Sequence, residues 1–134
     1  MSYREIKFRG KSQSSGEWFY GYLFKSDSGE RTHIIKNHKA CLDIDPDTVG
    51  EYTGLRDNNK IEIYENDLIE CNKKIYEVIW DKGMFVLKNP RSSVVGDTSL
   101  GLMLDVFDME IIGNRYDNPE LLRFMNILQQ GIPY

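Results

Sequence analysis

Thr53–Ile69 reads T-G-L-R-D-N-N-K-I-E-I-Y-E-N-D-L-I. Two turn signals bracket a short apolar strand through Ile61 and Ile63, and a Tyr-Glu-Asn-Asp corner leads into a second strand. Turn residues alternating this tightly with β-formers mark a small all-β domain rather than a helical one.

Toward the C-terminus the same grammar continues. Leu68–Cys71 is the next strand, and Ile75–Trp80 and Met84–Lys88 form a hairpin closed by Asp81-Lys82-Gly83. A three-residue connection ending in Gly fits a type I turn followed by a left-handed residue. Asn89–Asp97 is a polar excursion, and Leu100–Ile112 has the composition of one or two further apolar strands. The period then changes. Asn118-Pro119-Glu120 supplies an N-cap, a first-position proline and a first-turn acid. Leu121, Leu122, Met125 and Leu128 recur at helical spacing, so a helix is expected over 119–130 and stops at Gly131.

Toward the N-terminus, Arg4–Arg9 alternates charge with Ile6 and Phe8. After the polar turn Ser12–Gly16, Glu17–Lys25 places Trp18, Tyr20, Tyr22 and Phe24 on one strand face and Phe19, Gly21 and Leu23 on the other. Ser26–Gly29 is a second turn, and Glu30–Lys36 returns to complete a three-stranded meander. Cys41–Ile44 is a shorter strand, ended by Asp45-Pro46-Asp47, and Pro46–Gly54 is the expected junction between halves.

Bulk composition narrows the classes of function. The 134 residues suit one domain or two very small ones, with about two-thirds of the unfolded surface buried. The net charge of −4 disfavours broad attraction to nucleic acid or to an anionic membrane. Two cysteines, Cys41 and Cys71, make no secreted-type disulfide framework. The N-terminus carries no apolar signal core and no run approaches a membrane span, so the expected location is the cytoplasm and no membrane association is expected.

Candidate chemistry is sparse. Asp43, Asp45 and Asp47 copy the opening of a calcium loop, but Thr48 and Gly54 stand where its Gly and Glu belong. His33, His38 and Cys41 offer three residues of metal-ligand type within nine positions, one short of a structural zinc set. Glu65, Asp67 and Glu70 cluster at one corner, where acid–base work would require a cleft and a raised pKa. Asp67 is read instead as a turn residue accepting backbone N–H groups. No nucleophile elbow or phosphate loop occurs. No catalytic residue, metal or small-molecule cofactor is expected, and the protein is read as a non-enzyme.

The best functional candidate is the aromatic strand face. Trp18, Tyr20 and Tyr22, beside Lys7 and Arg9, form a candidate binding surface, with Phe24 on the same face and Arg4 and Lys11 flanking it. The ordinary role of such a face is core beneath the first sheet. If exposed, it is a protein contact, or a platform on which the bases of single-stranded nucleic acid or RNA stack while cations meet phosphates.

Three blocks carry a resemblance. R-E-I-K-F-R-G-K at Arg4–Lys11 leads into G-E-W-F-Y-G-Y-L at Gly16–Leu23. V-G-E-Y-T-G-L-R-D at Val49–Asp57 continues into E-I-Y-E-N-D-L-I at Glu62–Ile69, and I-I-G-N-R-Y-D-N-P-E-L-L runs from Ile111 to Leu122. In this order they resemble the YopX family of phage and prophage proteins. Family members usually carry Gly where this chain has Lys60 and Asn66. Asn tolerates a left-handed backbone, whereas Lys60 predicts a shift of its turn onto Asn58-Asn59.

The resemblance implies a phage-type setting, a small Src-homology-like β-barrel in the second half, and no assigned catalytic residue. The expected fold is mainly β. A meander spans 1–48, a small barrel 49–116, and a C-terminal helix and tail 117–134, packed as one compact unit. The expected function is that of a phage accessory protein acting through a protein partner or self-association, with nucleic acid as the alternative.

Overall fold

The computed structural model describes residues 3–26, 28, 31–36, 40–89 and 98–122. Two antiparallel sheets account for most of them, as the mainly β expectation requires. The chain divides into two compact units at Gly54/Leu55.

The first unit is the expected meander, with the short strand expected at Cys41–Ile44 as its fourth and a fifth strand added. β1 (Phe8–Lys11), β2 (Trp18–Lys25), β3 (Thr32–Lys36) and β4 (Ala40–Asp43) are sequential antiparallel neighbours. A 3-10 turn at Pro46–Thr48 then returns the chain to β5 (Gly50–Arg56), which pairs with the free side of β1. The order across this unit is β4-β3-β2-β1-β5. Asp45 Oδ1 accepts the Asp47 amide at 3.0 Å and so starts the turn, with Pro46 as its first residue. The buried Thr48 hydroxyl donates to the Asp45 carbonyl at 2.7 Å and accepts the Lys11 amide at 2.8 Å. Thr53-Gly54, which reads as a turn, lies inside β5.

One face of this sheet is closed by Ile34 and Ile44, both fully or almost fully buried. Ile34 stands opposite Leu23 and Leu42. A Cβ at Gly10 would collide with the Ile44 side chain, so glycine is what allows Ile44 to lie flat on β1.

The second unit opens with the last residues of β5 and turns at Asp57–Ile61 into β6 (Glu62–Tyr64). β7 (Asp67–Cys71), β8 (Lys74–Asp81), β9 (Met84–Lys88), β10 (Thr98–Ser99) and β11 (Glu110–Asn114) make an antiparallel sheet in the order β10-β9-β8-β7-β11. No closed barrel is seen among the described residues. The core gathers Ile63, Ile69, Val78, Leu87, Leu100 and Met109.

Three local expectations are corrected. Leu100–Val106, expected as strand, is a helix, α1, with the Ser99 hydroxyl accepting the Leu102 amide at 3.5 Å. Leu100, Met103 and Leu104 join the core at i, i+3, i+4, while Leu102 and Val106 stay exposed. Seven nearly all-apolar residues gave the helical period nothing to contrast with. The β8–β9 turn is also tighter than the three residues expected, and the β7–β8 turn is like it. Asn72-Lys73 and Lys82-Gly83 are two-residue connections with φ of 52°, 64°, 51° and 87°, the signature of type I′ turns. Asp81 therefore belongs to β8. Finally, Lys60 itself takes the left-handed conformation, with φ of 65°, and the turn is not shifted onto Asn58-Asn59.

The helix expected at 119–130 begins as described, with Pro119–Leu122 helical and Leu121 N donating to Asn118 O at 3.1 Å. Its continuation, the excursion beyond Asn89 and His38 lie outside the described residues.

Candidate interaction surface

The register of the first sheet decides which side chains share a face. Arg9 is paired with Tyr20 and Lys11 with Trp18, while Tyr22 faces Ile35 and Phe24 faces His33. Period-2 alternation therefore lines Arg9 and Lys11 along β1, with Lys7 just before it, beside Trp18, Tyr20, Tyr22 and Phe24 along β2. Beyond them His33 on β3 meets Asp43 on β4, with Nδ1 and Oδ1 2.6 Å apart.

This face is not core. Tyr20, Tyr22 and Phe24 keep 45%, 58% and 45% of their surface accessible, which corrects the ordinary reading. The heavier aromatic row looked like the inner one, yet Ile34 and Ile44 close the opposite face. Trp18 is half-buried. The Arg9 guanidinium lies 4.6 Å from its ring centroid, and the Lys11 ammonium lies 5.7 Å from it. Arg9 is only 6% exposed, its stem laid along the sheet. Lys7 reaches over the Tyr52 ring at 5.0 Å and pairs with Glu5 at 3.0 Å.

The candidate site residues Lys7, Arg9, Trp18, Tyr20 and Tyr22 thus do share one face. Phe24 and Lys11, read from the sequence as part of the aromatic face and its flank, share it too. His33 and Asp43 could not be read there, because a register between separate strands brings them together. The first unit contains eight basic and eight acidic residues, so the whole charge of −4 belongs to the second. The aromatic face is therefore exposed, but on an electrically neutral unit whose cations on this face stand over rings or beside a carboxylate.

The other candidates have structural roles. Asp43 meets His33 and Asp45 caps the 3-10 turn, so the acidic triplet does not converge. Asp67 is buried and accepts the Tyr64 amide at 2.7 Å, the turn role read for it, while Glu70 is exposed. Among the described residues, no group of three or more His, Cys, Asp or Glu side chains is placed to hold a metal ion. A cavity of about 210 Å³ in the second unit is lined by Asn58, Asn59, Glu70, Asn72, Asp108 and Glu110, not by Glu65 or Asp67. Among the described residues no helix is long and apolar enough to cross a membrane.

One buried charge was not foreseen. Glu77 on β8 is 6% exposed and faces Arg115, with Nε 2.7 Å from Oε2 and Nη2 donating to Oε1 at 3.2 Å. Burial pushes its carboxyl above the usual range, and Arg115 and Lys88 oppose that shift. The Arg115 amide donates to the Asn66 carbonyl, and the Asn66 amide donates to the Val78 carbonyl. The pair thus joins three segments of the second unit and is built as a strut.

A family model described as YopX protein matches residues 7–123. No curated protein matches the chain.

Proposed function

The chain belongs to the YopX family, and we propose that this member is a non-enzymatic phage or prophage accessory protein that acts by binding protein through the aromatic face of its first sheet. The observation that carries the reading is the line of Tyr20, Tyr22 and Phe24, three accessible aromatic rings on alternate residues of one strand. Large exposed apolar patches on a folded domain mark contact surfaces, and Tyr, Trp and Arg are the residues that dominate binding energy there. The host cytoplasm is the proposed location. A barrel-like closure of the second unit belongs to the same reading, supported by the register shift between Ile111 and Gly113, since a bulge bends its strand.

A second reading, binding of single-stranded nucleic acid or RNA, is favoured by Arg9 and Lys11 beside Trp18 and Tyr20. The neutral charge of the unit favours protein. A photoreactive amino acid placed at Tyr22 tests the choice in cells, with the same group at exposed Lys74 as control. Crosslinks to protein from position 22 alone support the proposal. Absence of protein crosslinks, together with salt-dependent quenching of tryptophan fluorescence by an oligonucleotide, replaces it with the nucleic-acid reading.

A further inference from the structure

We infer that the first unit holds another site, apart from the aromatic rings, that binds a small ligand carrying both charges, of the α-amino-acid class. The inference stands whether or not the aromatic face binds protein.

A cavity of about 330 Å³ opens at the end of the first sheet, lined by Gln13, Arg31, Thr32, Asp43, Ile44 and Pro46. Backbone bonds fix its walls. The Ile44 amide donates to the Thr32 carbonyl at 3.1 Å, and the Asp45 amide donates to the Lys11 carbonyl at 2.8 Å. These two bonds tie the end of β4 to β3 on one side and to the end of β1 on the other. Buried Ile44 and exposed Pro46 supply apolar wall.

The polar groups suit a ligand with two charges. Arg31 and Asp43 line the same cavity, yet Arg31 has no ion-pair partner among the described residues. Asp43 Oδ1 meets His33 Nδ1 at 2.6 Å, which leaves Oδ2 for another donor. Thr32 is only 7% exposed, and its hydroxyl makes no hydrogen bond among the described residues. A buried hydroxyl in that state costs free energy that an acceptor in the cavity returns. The Arg31 guanidinium, the Thr32 hydroxyl and the Gln13 amide are all donors, the set that a carboxylate accepts from. Asp43 Oδ2 is the acceptor for an ammonium.

Opposite charges in one cavity also exclude ligands. A plain anion meets Asp43 and a plain cation meets Arg31, so each group disfavours a ligand that lacks the other charge. An α-amino acid carries both on one carbon and lays its side chain on Ile44 and Pro46. Volume sets the length of that side chain. At about 30 Å³ for each water-sized group, 330 Å³ takes roughly ten non-hydrogen atoms, which is close to leucine. Arg31 and Asp43 are exposed. Solvent therefore competes for both charges, and a dissociation constant of about 0.1–1 mM is expected.

Proton–nitrogen correlation spectra of the full chain, titrated with L-leucine to about 20 mM, test the site. The amides of Thr32 and Ile44 should shift and saturate, while that of Val78 in the second unit stays in place. Isocaproate, which lacks the ammonium, and leucinamide, which lacks the carboxylate, should each bind at least about tenfold more weakly. Arg31→Gln and Asp43→Asn should each weaken leucine by about tenfold. Both replace exposed side chains, so the spectrum away from the cavity should be unchanged and the loss reads the site rather than the fold. Tyr22→Ser, among the aromatic rings, should leave leucine binding as it was. No saturable shift at Thr32 and Ile44 with either leucine or glycine overturns the inference. Isocaproate or leucinamide binding as tightly as leucine overturns it too, as does leucine binding that survives Arg31→Gln and Asp43→Asn.

Discussion

Asp57 Oδ2 accepts the backbone N–H of Ile111 at 3.0 Å across fifty-four residues of chain. Its other oxygen, Oδ1, accepts the amides of Asn59 and Ile61, each at 2.9 Å. Asn58 N completes the junction by donating to the Met109 carbonyl at 2.9 Å. One buried carboxylate therefore shapes the β5–β6 turn and also satisfies an amide on β11, which needs its donors and acceptors covered where no neighbouring strand follows.

Replacing Asp57 with Ala should leave three amides without their acceptor. Hydrogen bonds to a charged group contribute about 1.5–3 kcal/mol each, and exposed turn amides recover part of that from water. A net loss of about 3 kcal/mol is expected, read as a lower denaturation midpoint in urea with an unchanged slope. Amide exchange at Ile111 should accelerate more than exchange at Val78. Equal acceleration at both would mean that Asp57 supports the whole unit rather than this junction.

Lys60 is held at φ 65° by that same carboxylate turn. Its amide donates to the Asp57 carbonyl at 2.9 Å, and its carbonyl accepts Arg56 Nη1 at 3.0 Å. A left-handed conformation costs a non-glycine residue about 1 kcal/mol, part of which a glycine returns through its freer unfolded chain. Lys60→Gly should therefore stabilise the protein by about 0.5 kcal/mol. A midpoint in urea that falls instead would show that the turn is not strained.

Lys60 also marks where the sequence was legible and where it was not. Trp18–Phe24 announced β2 by plain alternation, and Ile75–Lys88 announced the β8–β9 hairpin, because both signals are local. The Lys60 turn was misread because its conformation is imposed by Asp57, whose second oxygen is committed to distant Ile111. α1 was hidden because Leu100–Val106 lacks polar residues at the spacing that reveals a helical face. At the aromatic face, alternation correctly grouped Trp18, Tyr20 and Tyr22. It could not say which side the core takes, since that is decided by Gly10 admitting Ile44. The Glu77–Arg115 pair, thirty-eight residues apart, left no local trace at all.

Glu77 predicts a pH dependence with a definite sign. Its carboxyl is raised in the folded state, first by burial and against the opposing pull of Arg115. The folded protein therefore holds this proton more tightly than the unfolded chain does. The associated stability is fully present below the ordinary glutamate range and is lost as pH rises through the raised value. Glu77→Gln should flatten that decline in urea midpoints measured across acidic to neutral pH. Arg115→Ala should move the decline to higher pH and cost about 2 kcal/mol at neutral pH, since it leaves a buried carboxylate without its cation. An Arg115→Ala profile that shifts to lower pH would contradict the assignment.

Gly113 and Asn118 are the last coupled pair. The Asn118 side chain folds back, its Oδ1 accepting the Asn114 amide at 3.2 Å, and the Asn118 amide donates to the Asn114 carbonyl at 2.8 Å. Asn114 Oδ1 in turn accepts the Tyr116 and Asp117 amides at 3.0 and 2.9 Å. The cap expected of Asn118 is thus made by its backbone, while its side chain closes the turn before the helix. That side chain occupies the space a Cβ at position 113 would need, the two meeting well inside contact distance. Gly113→Ala should cost about 2 kcal/mol by displacing the amide, and Asn118→Ala about 1 kcal/mol by removing its hydrogen bond. The double variant should be less destabilised than the sum of the two, because alanine at 118 removes the obstacle. Strict additivity in the cycle would place the strain at Gly113 elsewhere in β11.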